Sequence, residues 1–97
     1  MSVEAIAWAL SVRTGNPSAK FVLVALANYA DQTGICWPSQ KLLAEQTEQS
    51  VDTVQRRLSE LVEVGLVARS RRQTNRGLGG RASDIYQLLM LRPQLAV

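Results

Sequence analysis

Residues 37–67, WPSQKLLAEQTEQSVDTVQRRLSELVEVGLV, constrain the fold of this chain most tightly. Ser39 is placed to cap a first helix over 39–47 carrying Leu42, Leu43 and Ala44. Ser50 is placed to cap a second over 50–64, since a serine oxygen accepts an otherwise orphaned first-turn backbone N–H. Only Glu48 and Gln49 separate Thr47 from that second cap, so the two helices must meet at a tight turn. On the second helix Val51, Val54, Leu58, Leu61 and Val62 fall on one apolar stripe, and Gly65 stands where a left-handed C-terminal cap ends a helix. The opposite face shows Asp52, Arg56, Ser59 and Glu63.

The residues after Gly65 extend the pattern. Residues 66–72 and 84–91 are strand candidates, and the glycine- and arginine-rich stretch 73–83 between them makes a hairpin over 66–91. Alternation divides Leu66 and Ala68 from Val67, Arg69 and Arg71, and puts Tyr86, Leu88 and Met90 together, facing inward. Gly77, Gly79 and Gly80 relieve the hairpin tip of steric limits on φ. Residues 92–97 read as a tail.

Ahead of the two helices, 3–12 is apolar and alanine-rich. It predicts a short helix within residues 1–12, with Val3, Ile6, Ala7 and Leu10 on one stripe and Trp8 to the side. That helix either covers an open side of the core or makes a dimer contact through Trp8 and Leu10. Asn16 followed by Pro17 starts a helix over 17–31, ending at about Tyr29 or Asp31, because proline's fixed φ and missing N–H suit the first helical position. Its many apolar residues, Phe21, Val22, Val24, Ala25, Leu26 and Tyr29, make it the helix around which the others pack. Residues 35–37 suffice for a minimal strand, with Trp37 as a core anchor at the entry to the next helix.

Four segments in order, KFVLVALANYA (20–30), GICWPS (34–39), SVDTVQRRLSELVEVGLV (50–67) and GGRASDIYQL (79–88), resemble the winged helix-turn-helix domains of bacterial, phage and plasmid replication initiators and transcription regulators. One departure is Glu48, where many such turns carry glycine. The resemblance implies a mainly α fold with a small β wing (α+β): a three-helix core with a two- or three-stranded antiparallel sheet, in one domain over 1–97. It also implies sequence-specific binding of double-stranded DNA, with helix 50–64 in the major groove and wing 73–83 on the backbone or minor groove, serving transcription regulation or replication initiation. The alternative is a winged helix that binds protein without DNA, since fold alone does not separate these uses.

Charge agrees with DNA in its distribution rather than its total. The chain has 11 basic and 8 acidic residues. Residues 51–83 hold seven arginines against three acids, whereas the remainder holds four bases against five acids, so the positive excess sits on the second helix and hairpin. Ser50, Asp52, Thr53, Gln55, Arg56 and Arg57 crowd the first half of that helix as candidate DNA contacts, since these side chains reach base edges or phosphates. Asp52 is read as a first-turn anion that pre-orients Arg56 through an i,i+4 pair. Arg69, Arg71, Arg72, Arg76 and Arg81 are the candidate wing contacts. The wing carries no aromatic residue on which single-stranded bases could stack.

Other chemistries lack their residues. The chain has no histidine, and its single cysteine, Cys36, allows neither an internal disulfide nor a cysteine metal cluster. GLGG lacks the lysine and hydroxyl that complete a phosphate loop. The expectation is a non-enzymatic protein with no cofactor and no metal. With no secretory signal and no apolar run near the roughly 20 residues that cross a bilayer, it is also expected to be cytoplasmic and free of membrane.

Overall fold

The computed structural model describes residues 3–71 and 84–90. They form α1 (Val3–Ser11), α2 (Pro17–Tyr29), β1 (Ile35–Cys36), α3 (Gln40–Thr47), α4 (Val51–Glu63), β2 (Val67–Ser70) and β3 (Ile85–Leu88). The class is α+β, a helical core with a three-stranded antiparallel sheet in the order β1-β3-β2. Wing residues 72–83, with Arg72, Arg76, Arg81 and the three wing glycines, and tail residues 91–97 lie outside the described residues.

Local chemistry sets the helix limits. Asn16 accepts from Ala19 N at 2.6 Å with Pro17 at the first helical position, so α2 starts where the Asn-Pro pair dictates. It ends at Tyr29, the earlier of the two expected ends, because Ala30 turns to an extended backbone and Asp31 accepts from the Thr33 and Ile35 amides to build the next turn. Ser39 and Ser50 cap α3 and α4, each accepting an N–H three residues on at 3.0 Å. At the far end of α4, Gly65 has φ 84, Leu66 N donates to Leu61 O and Gly65 N to Val62 O. This paired closure satisfies two carbonyls that the helix itself leaves open.

Leu23, Leu26, Leu43, Leu58, Leu61, Val22, Val54, Tyr86 and Leu88 form the centre of the core, with α2 touching α1, α3 and α4. The apolar stripe of α4 is narrower than expected. Val54, Leu58 and Leu61 are fully buried, but Val51 and Val62 lie at its edges and are exposed. Helix α1 is rotated from its expected face: Ala5 and Ala9 are buried against the core, Ile6 and Trp8 pack partly on it, and Val3 and Leu10 point away. The missing side-chain bulk of the two alanines lets the α1 and α2 backbones approach, which outweighs burial of the larger residues. Lys20 Nζ closes the end of α1 by donating to the Leu10 and Val12 carbonyls. Trp37 is half exposed rather than a core anchor, while its neighbours Cys36 and Pro38 are buried. In β1 the side chains alternate, so burying Cys36 turns Trp37 outward.

The turn between α3 and α4 keeps its left-handed residue without glycine. Glu48 has φ 57 and ψ 42, and its N–H and that of Gln49 return to the last turn of α3. In the sheet, Val67 faces Leu88 and Arg69 faces Tyr86, while Cys36 pairs with Tyr86 on the other side of β3. Tyr86 and Leu88 are buried and Met90 packs partly against the core, as the alternation predicts. Gly34, with φ 87, lets β1 approach: a Cβ there would stand 3.1 Å from Leu88 O, and its carbonyl accepts Leu88 N at 2.8 Å.

Candidate nucleic-acid interface

Because the buried stripe of α4 holds it on α2 and α3, the opposite side of the helix is presented outward. Ser50, Asp52, Gln55 and Arg56 are exposed there, with Ser59 and Glu63 beyond them. A shallow depression is lined by Asp52, Gln55, Arg56, Ser59, Glu60 and Glu63. Thr53 is half-buried, and its hydroxyl accepts from Ser50 Oγ at 3.0 Å, so it belongs to the cap as much as to the surface. The expected Asp52–Arg56 ion pair is not formed. Asp52 sits in the first turn, where an anion meets the positive end of the helix, and Arg56 extends outward, its charge helping to lower the Glu60 carboxyl.

Gln55 is not left to solvent. Its Nε2 donates to Gln40 Oε1 at 2.9 Å, tying the outer face of α4 to the first residue of α3. Burial pushes the Tyr86 phenol on β3 above its ordinary value, partly offset by Gln40 and by Arg69. No local signal marked Gln40 as part of this surface, since the contact spans 15 residues and depends on how α3 crosses α4.

Arg57 differs from its neighbour. Its Nε donates to Ser18 Oγ at 3.0 Å and its Nη1 to Glu60 Oε2 at 2.6 Å, so the guanidinium is turned back onto the start of α2. The Arg57 hydrogen bond holds the Glu60 carboxyl below its ordinary range, helped by the Arg57 charge and Asn16. Ser18 donates in turn to Gln49 Oε1 in the turn before α4. Sequence spacing put Arg57 beside Arg56 among the candidate contacts; the structure puts it under the helix as a brace, because one residue is about 100° of helical rotation.

On the sheet, the Arg69 guanidinium lies 5.9 Å from the centre of the Tyr86 ring and its Nε 3.8 Å from Asp84 Oδ2. Arg71 is exposed at the end of the described part of the wing. Cys36 is buried, and the apolar surroundings push its thiol up to about 12. It therefore packs as a small hydrophobe. No group of three or more histidine, cysteine or acidic residues that could hold a metal occurs among the described residues. No described helix is long and apolar enough to cross a membrane.

The surface is thus a rigid helix edge offering, among the described residues, one arginine without an ion-pair partner, one oriented amide, a hydroxyl and a first-turn carboxylate, flanked by the wing strands. A family described as a helix-turn-helix domain matches residues 16–67, more than half of the chain. Among solved structures, a possible transcriptional regulator from Methanosarcina mazei Go1 matches with a TM-score of 0.55 and 25% identity over 91% of this chain. This chain spans 66% of that regulator's length. No curated protein matches significantly.

Proposed function

The chain belongs to the helix-turn-helix domain family, and from that membership we propose that it binds double-stranded DNA sequence-specifically, with α4 in the major groove. The observation that carries this reading is the split of α4 into a fully buried side, Val54, Leu58 and Leu61, and an exposed side bearing Ser50, Asp52, Gln55 and Arg56. Arg56 and Gln55 reach base edges, while Ser50 and Thr53 at the helix start approach phosphate. Glu60 and Glu63 mark the end of the helix that stays away from the backbone. Arg69, Arg71, Arg72, Arg76 and Arg81 complete the contact from the wing, on phosphates or in the minor groove. Arg57 supports this surface from beneath. The similarity to a possible transcriptional regulator favours transcription regulation over replication initiation as the process served.

Anisotropy titration with random duplex across a salt series tests the reading. Binding should weaken steeply with salt, and removing one wing arginine should flatten the log-affinity slope by about 0.9 for each phosphate it no longer neutralises. Absence of binding at low salt overturns it.

A second reading rests on α1. Val3 is 76% and Leu10 59% exposed, an apolar edge that suits self-association or a protein partner. Sedimentation of the full chain and of a form lacking residues 1–12 distinguishes a dimer from a monomer.

A further inference from the structure

Gln55 stands apart from the other outward groups of α4 because its amide is already committed at one atom. A glutamine amide has two N–H donors and one carbonyl acceptor. The 2.9 Å hydrogen bond to Gln40 Oε1 consumes one donor. Gln40 is itself held in place: it is the first residue of α3, directly behind the Ser39 cap, and is half-buried. Gln55 then presents a single N–H beside a single carbonyl oxygen, held at a set orientation.

Each base offers a different edge to such a pair in the major groove. Adenine presents an acceptor, N7, beside a donor, the N6 amino group, and satisfies both atoms at once. Guanine presents two acceptors, N7 and O6, so one would face the Gln55 oxygen. Cytosine and thymine each offer one partner only. An amide free to rotate could spend both N–H groups on guanine, but one pinned by Gln40 lacks the second donor. Resting on the DNA-binding reading above, we propose that Gln55 reads adenine at one position of the target site and that Gln40 is the positioning residue that makes the choice of base selective.

The test is selection of bound sequences from a random duplex pool with the full chain as wild type, Gln55→Ala and Gln40→Ala, followed by titration of the selected duplex. Wild type should enrich a site with one adenine whose preference disappears in Gln55→Ala while the other positions keep theirs. Affinity for that site should fall roughly 5- to 150-fold, the loss of one bidentate base pairing. Replacing that adenine by 7-deazaadenine, which lacks the N7 acceptor, should weaken wild type but not Gln55→Ala. Gln40→Ala should broaden the same position toward guanine while the other positions keep their preferences, a change that a loss of stability alone would not produce. A site enriched by wild type and read equally by Gln55→Ala overturns the adenine assignment alone. An unchanged preference in Gln40→Ala overturns the positioning role. Failure of wild type to enrich any duplex overturns the DNA-binding reading together with this one.

Discussion

Arg57 and Ser18, 39 residues apart in sequence, are joined by a 3.0 Å hydrogen bond that fastens the underside of α4 to the start of α2. The bond also connects to the turn before α4 through Gln49 and to Glu60 one helical turn on. The outward position of Arg56 is therefore set by its neighbour's inward one.

Arg56 and Arg57 should separate cleanly in mutagenesis. Arg57→Ala is expected to cost about 1 kcal/mol of stability through the lost hydrogen bond to Ser18. Arg56→Ala should stay within about 0.5 kcal/mol of wild type in stability and lose on the order of 1–3 kcal/mol of affinity for a selected site. Urea unfolding and anisotropy on both variants check this. If Arg57→Ala unfolds like wild type while losing specific binding, its assignment as a brace is wrong.

Leu58 is fully buried between α4 and the rest of the core. Leu58→Ala should cost roughly 2–5 kcal/mol, a large part of the roughly 5–15 kcal/mol expected of a small domain. Calorimetry showing a wild-type melting temperature for this variant would mean that the helix presents another face to the core.

Glu48 holds a left-handed backbone that favours glycine. Glu48→Gly should raise stability by about 0.5–1 kcal/mol by relieving that conformation. Gly65→Ala, at φ 84 with nothing within 4 Å of the added methyl, should lower it by about 1 kcal/mol through backbone strain alone. Denaturant midpoints of the two variants should move in opposite directions; a shared direction refutes the account.

Two carboxyls make the fold sensitive to acid. Glu60 is lowered mainly by the Arg57 hydrogen bond and Asp31 mainly by the Thr33 side chain. Groups depressed in the folded state stabilise it fully above their ordinary values of 4.5 and 3.8, and this contribution is lost as pH falls through the lower folded values. Melting temperature should therefore fall as pH is taken from neutral to below these values, and Glu60→Gln should flatten part of that fall. An identical pH profile for Glu60→Gln would show that the pair contributes nothing.

The parts of the fold that were legible in the sequence are those decided within a few residues. Asn16, Ser39 and Ser50 each close a first turn with their own side chain, and Gly65 supplies a φ that other residues resist, so four helix limits follow from local chemistry. The face of α1 was not legible, because Ala5 and Ala9 win over Val3 and Leu10 only when the closeness of α2 is known. Trp37 was misplaced for a related reason: its size suggests burial, but the strand alternation that buries Cys36 turns it out. On the candidate face, the exposure of Arg56, Asp52 and Gln55 follows from helical spacing. The bracing of Arg57 by Ser18 and the hold of Gln40 on Gln55 do not, since both join segments that meet only in three dimensions.

The sheet order carries a consequence for how the chain is made. β3 is the last of the three strands to leave the ribosome, yet it lies between the other two. Until it arrives, β1 and β2 have no partner in the sheet, and Tyr86 and Leu88 are missing from beneath the helices. Contacts as distant as Gly34 with Leu88 must then form late. A released chain truncated after residue 70 would lack the central strand and leave β1 and β2 as bare edges, the kind of edge that pairs between molecules. A peptide spanning 84–90 supplied in trans carries the residues of β3 that fill this gap.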